Sequence, residues 1–257
     1  ETQNLLDIIS DLNKLTLLIK LMSVCPLPDL ELEKLLTNLR SSILANILSL
    51  KEVSPELIAF QSALALQCFT NEYIYSQTME EVEILRSLDS SVKNALKNNE
   101  QPSPQIILAL ASYKALKDYE WCDLLVITDH IKDVFDRQIG EPIEEEKLKS
   151  AIPILEEITD SVSSKVREQY EESPYPRWIN LGLALKPSTI SNIVDEIDLK
   201  LYDSKISEVT EPEILIAGCG TGQHSIATAS RFKSSNVLAI DLSLSSLAYA
   251  KRKTEEL

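Results

Sequence analysis

The stretch Glu213-Ile-Leu-Ile-Ala-Gly-Cys-Gly-Thr-Gly222 decides the fold of the C-terminal part of the chain. Its apolar first half predicts a short buried strand that runs directly into a glycine-rich turn. Residues 223–230 then predict the first turns of a helix, and Asn236-Val-Leu-Ala-Ile-Asp241 predicts a second apolar strand that ends on an acid. Strand, glycine turn, helix, strand and acid is the order that a nucleotide-binding βαβ unit requires.

Each part of this pattern has a physical reason. A turn that packs against a bound nucleoside has no room for Cβ atoms and needs positive φ at some positions, so it needs glycine. The turn leads into a helix N-terminus, whose free N–H groups and dipole favour an electron-rich ligand. The acid that closes the second strand, Asp241, can accept hydrogen bonds from both hydroxyls of a ribose. Its separation from Gly222 along the chain is close to the roughly 20 residues expected for that role.

The combination of Gly218-Cys-Gly-Thr-Gly222 with Ala239-Ile-Asp-Leu-Ser243 resembles the class I S-adenosylmethionine-dependent methyltransferases. The glycine spacing is G-x-G-x-G, which those enzymes use, and differs from the G-x-G-x-x-G of dinucleotide-binding proteins. Residues 241–250 are also similar to the second strand end and the following helix of that family. The resemblance implies S-adenosyl-L-methionine as the cofactor.

The resemblance also implies a role for each matching position. The three glycines would shape the cofactor loop, and Cys219 is the small residue that this family commonly places inside it. Asp241 would bind the ribose, and Leu242 would lie near the adenine. The predicted cofactor-binding residues are therefore Gly218, Cys219, Gly220, Gly222, Asp241 and Leu242.

Some features leave alternatives open. Ile216 stands two positions before the first glycine, where the family usually has an acid, and this weakens the predicted contact near the methionine amino group. Cys219 has the alternative of a nucleophile, although the four cysteines form no C-x-x-C pair and fit reduced, buried thiols of a cytoplasmic protein. The whole pattern has the alternative of a structural glycine turn in another α/β protein.

The charge of the chain bears on its partners. The 257 residues are enough for two domains and carry a net charge of −15. All of the excess of acidic over basic residues lies before residue 211, because the two kinds are equal in number from Glu211 onward. So acidic a surface repels phosphate backbones, and we expect no direct nucleic-acid binding. The longest apolar run, residues 15–24, is interrupted by Lys20 and is too short to span a bilayer, so no membrane partner is expected.

Residues 1–165 have a hydrophobic period of 3.6 nearly throughout and predict six to eight antiparallel helices. Ser54-Pro-Glu and Ser103-Pro-Gln each place serine at an N-cap and proline at the first helical position. No fixed repeat of the tetratricopeptide kind is found. We expect a domain that packs on the enzyme or binds a protein partner. The predicted apolar faces are Leu57, Phe60, Leu64 and Cys68 in one helix, and Leu32, Leu35, Leu39 and Ile43 in another.

A segment rich in proline and aromatic residues follows the helical part. Within it, Tyr170-Glu-Glu-Ser-Pro-Tyr-Pro-Arg-Trp178 resembles a signature that precedes the methyltransferase domain in bacterial proteins with tetratricopeptide repeats or related helical regions upstream. One interpretation is that Tyr175 or Arg177 covers the cofactor or substrate pocket. The other, which we prefer, is that Tyr175 and Trp178 wedge the two domains together. Residues 188–202 then predict one more amphipathic helix before the first strand.

The predicted fold is a mainly α N-terminal domain, either a helical bundle or a short solenoid, followed by the start of an α/β Rossmann-like methyltransferase domain. The predicted divisions are an all-helical domain over residues 1–165, a linker over 166–185 and an incomplete methyltransferase domain over 186–257. A complete class I domain continues well beyond its second strand. We therefore expect a truncated chain that binds the cofactor poorly and is inactive alone.

Three functions are compatible with this sequence. The first is an S-adenosylmethionine-dependent methyltransferase with an open acceptor, in which the protein mainly positions the reactants and excludes water. The second is a helical protein–protein interaction module with a degenerate, inactive methyltransferase remnant. The third, a nicotinamide-dependent oxidoreductase, requires a different glycine spacing. Catalytic residues and oligomeric state stay open, no metal site is predicted, and His224 is a candidate only for shaping the pocket.

Overall fold

The computed structural model describes residues 2–50, 54–156 and 158–257. The chain divides into two compact units, Glu1–Ile143 and Glu144–Leu257. The first is helical, and the second contains a two-stranded parallel sheet near the C-terminus, in agreement with the predicted fold class. The predicted domain boundaries at residues 165 and 186 stay a prediction. Within the described ranges, every helix is too short or too polar to cross a membrane.

The first unit is built from helices that are joined by short connections. Two single turns of 3-10 helix, Leu116–Asp118 and Cys122–Leu124, lie between the sixth and seventh helices. The seventh helix continues through a π-helical turn, Asp136–Gly140, into the eighth, which crosses the division between the units. The helices are α1 Thr2–Asn13, α2 Thr16–Val24, α3 Leu30–Asn46, α4 Pro55–Thr70, α5 Met79–Lys97, α6 Pro104–Ala111, α7 Lys132–Phe135 and α8 Glu141–Lys149.

Helix α4 forms the centre of the first unit. It begins as predicted, because the Ser54 hydroxyl accepts a hydrogen bond from the Leu57 N–H at 3.1 Å and Pro55 opens the helix. The helix contacts α1, α2, α6 and α7, which surround it. Even Gln61 and Gln67 are therefore buried. The predicted apolar face is confirmed, with Leu57, Phe60, Leu64 and Cys68 each at most 1% exposed.

The apolar face predicted for α3 was partly wrong. Leu39 and Ile43 are buried, but Leu35 is 37% exposed, and Leu36 takes its place at 1%. Positions 36, 39, 40, 43 and 44 follow the i, i+3, i+4, i+7, i+8 pattern of one helix face, and Leu35 lies outside it. The buried face of α3 is still mainly apolar, because Leu36 is buried in place of Leu35.

The second unit carries the predicted strand, helix and strand, but the first strand is not buried as predicted. Only Ile216 of its five residues is buried, and Leu215 is 61% exposed in a sheet that has two described strands. The elements of the second unit are α9 Ser161–Glu172, α10 Ile190–Glu196, a 3-10 helix Ser204–Glu208, β1 Glu213–Ala217, α11 Gln223–Arg231, β2 Asn236–Ile240 and α12 Leu244–Glu256. The helix predicted over 188–202 is shorter than expected. It begins at the Thr189 N-cap and stops before Asp198, whose φ of 51° is left-handed and does not continue a helix.

The two strands lie parallel, with Glu213 opposite Asn236 and Ala217 opposite Ile240. Helix α11 connects them and contacts β2, which makes the predicted βαβ unit. Because the carboxyl ends of parallel strands meet at the same edge, the glycine turn after β1 and Asp241 after β2 lie side by side. The candidate site is at this edge.

Candidate cofactor site

The loop after β1 depends on its three glycines. Gly218, Gly220 and Gly222 have φ of 75°, 53° and 88°, all in the left-handed region that favours glycine. The N–H groups of Gly218 and Cys219 donate to the Ile240 carbonyl oxygen at 2.8 and 3.0 Å, which ties the loop to the end of β2. Gly222 then becomes the N-cap of α11. The chain could not follow this path with ordinary residues at those three positions without backbone strain.

The surroundings of the three glycines differ. A Cβ atom on Gly222 would lie 2.6 Å from the Ala250 Cβ, so this glycine allows the loop to pack on α12. Apart from the glycine itself and its two chain neighbours, no described atom lies within 4 Å of a Cβ built on Gly218 or on Gly220. The backbone at these two positions therefore borders open space, which a ligand can approach closely.

The Asp241 carboxylate connects the glycine loop to the start of α12. One oxygen accepts from the Gly220 N–H at 2.8 Å, and the other accepts from the Ser243 N–H at 3.0 Å. An ionised carboxylate has about four acceptor positions. Two therefore remain for a ligand, which suits the two hydroxyls of a ribose. The sequence predicted the ribose role and did not reveal that Asp241 also fixes the loop.

The structure brings the predicted site residues to one edge of the sheet. Leu242 follows Asp241 directly and is 43% exposed, so it presents apolar surface there. His224, in the first turn of α11, is exposed. Ile216, at the position where the family that this chain resembles usually has an acid, is buried in β1 at 8% exposure. The cofactor-binding roles of the glycines, Cys219, Asp241 and Leu242 stay predictions.

The thiol of Cys219 is poorly suited to act as a nucleophile. The residue is 7% exposed, and burial, together with the nearby Asp241 carboxylate, raises the pKa of the thiol to about 11. A thiol must lose its proton to attack, so the raised pKa keeps Cys219 almost entirely protonated and poorly reactive at neutral pH. This favours the interpretation of Cys219 as a small loop residue.

Alkylation rates can check the state of Cys219. At pH 8 a thiol with this pKa is ionised in about one molecule in a thousand, so iodoacetamide should modify Cys219 far more slowly than the half-buried Cys25. Mass spectrometry of peptides after timed labelling measures both rates in one sample. Buried Cys68 serves as the protected reference, because burial raises the pKa of its thiol to about 12. Equal rates at Cys219 and Cys25 would contradict this account.

Residues before β1 also reach the loop, in the segment where one interpretation of the sequence has Tyr175 or Arg177 covering the pocket. Trp178 is 6% exposed, and its indole N–H donates to the Thr221 carbonyl oxygen at 2.8 Å. The Thr221 hydroxyl donates in turn to the Pro176 carbonyl oxygen at 2.9 Å. Tyr175 is 54% exposed, whereas Arg177 is buried. The preferred interpretation of Trp178, a wedge between the two domains, stays a prediction, and the structure gives Trp178 the glycine loop as a partner within its own unit.

The end of α9 contacts the start of α12. The Glu171 carboxylate accepts hydrogen bonds from the backbone N–H groups of Leu244 and Ser245. The Ser243 hydroxyl donates to the Tyr170 carbonyl oxygen at 3.0 Å. A carboxylate at a helix N-terminus is stabilised by the free N–H groups and the dipole there. No local sequence signal marks Glu171 for this role, because its partners lie more than 70 residues away along the chain.

Arg252 connects α12 to its neighbours through ion pairs and a cation–π contact. Arg252 is 2% exposed and donates from Nε to a Glu145 carboxylate oxygen at 3.0 Å. It also pairs with Glu256, and its guanidinium lies 5.0 Å from the centre of the Tyr249 ring. In the described parts of the chain, no group of histidine, cysteine, aspartate and glutamate side chains is placed to hold a metal ion.

Comparison with known families supports a methyltransferase domain at this site. Residues 214–257 match the family described as a methyltransferase domain. The match begins inside β1 and ends after α12, so it includes the glycine loop, Asp241 and the helix that packs on Gly222. No curated protein and no solved structure matches the chain.

Proposed function

We propose that this chain provides the cofactor-binding edge of an S-adenosyl-L-methionine-dependent methyltransferase. The observation that carries the proposal is the hydrogen bond between the Gly220 N–H and the Asp241 carboxylate, at 2.8 Å. It places a loop of left-handed glycines beside a carboxylate with free acceptor positions. The family match over residues 214–257 covers both groups.

The residues present fit a nucleoside with an attached amino acid. Open space above Gly218 and Gly220 lets a ligand approach the backbone, and Asp241 has acceptors for both ribose hydroxyls. Leu242 offers exposed apolar surface for an adenine. The methionine end has weaker support, because buried Ile216 cannot provide the carboxylate that the family usually has there.

The charges at this edge favour an uncharged ribose over a phosphorylated one. Asp241 and Glu171 both place carboxylates at the first turn of α12. A phosphate on the ribose would meet this pair, and proteins that accept a ribose 2′-phosphate use an arginine near that position. Together with the G-x-G-x-G spacing, this argues against a nicotinamide dinucleotide phosphate as the ligand.

The protein's part in the reaction is binding and orientation. When bound, S-adenosyl-L-methionine supplies a methyl group on a positively charged sulfur. Asp241 holds the ribose, the glycine loop supports the neighbouring part of the ligand, and the fixed edge of the sheet limits how the ligand can turn. Holding reactants in line contributes much of the rate enhancement in group transfer.

A second candidate function is a helical protein–protein interaction module with an inactive methyltransferase remnant. Ile216 is the observation that favours it, because its buried side chain removes a contact expected of an active site. The acidic, helical first unit would then bind a partner with basic surface.

Calorimetric titration of the natural protein that carries this chain separates the candidates. The panel is S-adenosylhomocysteine, NAD⁺ and ATP, each at the same concentration. We expect micromolar binding of S-adenosylhomocysteine and none of the other two. Binding of NAD⁺ in its place would indicate an oxidoreductase, since an acid after the second strand also suits the unphosphorylated ribose of that ligand. A folded protein that binds none of the three would support the interaction module.

A further inference from the structure

The segment from Tyr170 to Trp178 contacts both halves of the candidate cofactor site, which are the glycine loop (residues 218–222) and the chain from Asp241 to Ser245. We infer that Trp178 positions the first half for the cofactor and that Glu171 positions the second. The segment runs from the last turns of α9 into the proline-rich stretch before β1. The identity of the cofactor rests on the proposed function, whereas the contacts do not. Neither side chain needs to touch the ligand, so both are positioning residues.

The segment fixes the loop through Thr221. This residue is 2% exposed, and two of its polar groups bind the segment: its carbonyl accepts from Trp178, and its hydroxyl donates to the Pro176 carbonyl oxygen. Thr221 lies between two left-handed glycines, so a fixed orientation of Thr221 restricts both. Glycine loses more conformational entropy on ordering than any other residue. A loop that is ordered in advance reduces that cost at the moment of binding.

The segment fixes the other half through the start of α12. The Glu171 carboxylate accepts from the Ser245 N–H at 3.2 Å and from the Ser245 hydroxyl at 2.7 Å. The Tyr170 carbonyl oxygen accepts from the hydroxyl of Ser243, the N-cap residue of α12. These contacts begin two residues after Asp241. They therefore hold the chain that carries the proposed ribose ligand.

Trp178 is itself held by α12, which closes the network. The Tyr249 hydroxyl donates to the Trp178 carbonyl oxygen, and the two rings meet edge to face with centres 6.1 Å apart. The Lys253 Nζ lies 5.1 Å from the centre of the Trp178 ring. The loop, the segment and α12 thus form one connected set of contacts within the second unit. A shift of Trp178 should be transmitted to the loop.

Amide hydrogen exchange and ligand binding test this inference in two variants. Trp178→Phe keeps an aromatic ring and removes the N–H donor, and Glu171→Gln keeps the shape and removes the charge. Without ligand, we expect amides of residues 218–222 to exchange roughly tenfold faster in Trp178→Phe, and those of residues 244–246 to do so in Glu171→Gln. S-adenosylhomocysteine should bind each variant roughly tenfold more weakly.

The control is Trp121→Phe, which removes an indole N–H that donates to Asp89 at 2.6 Å in the first unit. It should change neither measurement. Unchanged exchange at both sites in the two variants would overturn the inference. Equally faster exchange in β1 would also overturn it, because the residues would then stabilise the whole unit. A third outcome separates the two proposals. If exchange in the variants is faster only at the two sites, but the wild-type protein binds no S-adenosylhomocysteine, the positioning contacts are supported and the proposed function alone is refuted.

Discussion

An Asp241→Ala variant is expected to bind S-adenosylhomocysteine at least about 100-fold more weakly than the wild-type protein, which corresponds to about 2.8 kcal/mol. Two effects add. The variant loses two acceptors for ribose hydroxyls, and hydrogen bonds to a charged group contribute about 1.5–3 kcal/mol each. It also leaves the N–H groups of Gly220 and Ser243 without their carboxylate partner, so the loop is less ordered before binding.

Calorimetry measures this difference, with Asp195→Ala as the matched control. Asp195 is an exposed carboxylate in α10 of the same unit, so its removal changes the net charge equally and leaves the site intact. An Asp241→Asn variant separates size from charge, since its amide NH₂ would face one of the two N–H donors and should also weaken binding. Wild-type affinity in Asp241→Ala would contradict the assignment of the ribose ligand.

A Gly222→Ala variant should destabilise the second unit by about 3 kcal/mol, because two separate costs combine. The backbone φ of 88° is strained for any residue with a Cβ atom. The new Cβ would also lie 2.6 Å from the Ala250 Cβ and 3.1 Å from the Ala250 Cα, so α12 must move away from the loop. Urea unfolding followed by circular dichroism gives the change in the free energy of unfolding.

Gly182→Ala is the matched control for this experiment. Gly182 has no left-handed φ, and beyond its two chain neighbours no described atom lies within 4 Å of a Cβ built on it, so the substitution should be close to neutral. Adding Ala250→Gly to Gly222→Ala should recover part of the lost stability, since it removes the contact between the two Cβ atoms and leaves the backbone strain. If Gly222→Ala proves as stable as Gly182→Ala, the packing of the loop on α12 is wrong.

The parts of the fold that the sequence predicted correctly are those with a local signal. The apolar run of β1, the glycines after it and the acid after β2 are each recognisable within a few residues, and the parallel pairing follows from their order. The Ser54-Pro start of α4 is equally local. The buried face of α3 has no such local signal, because Leu35 and Leu36 are adjacent leucines and only the contacts of the folded helix select one of them.

The contacts that hold the site were not predictable in the same way. Trp178 and Thr221 are 43 residues apart, and Glu171 and Ser245 are 74 apart, so hydrophobic periodicity and turn preferences contain no information on their pairing. The early end of α10 has a similar cause. Residues 188–202 keep a helical apolar period, and only the left-handed backbone at Asp198 shows that the helix stops.

Photolabelling locates a bound cofactor on the chain, so it tests the proposed site without any substitution. The natural protein that carries this chain is irradiated with S-adenosyl-L-methionine labelled at its methyl group, with and without excess S-adenosylhomocysteine, and then digested with trypsin. The glycine loop and Asp241 fall on different tryptic peptides, residues 206–231 and 234–251. We predict that label enters one or both of these peptides and that S-adenosylhomocysteine prevents it. Label confined to other peptides, or label that S-adenosylhomocysteine does not displace, would contradict this prediction.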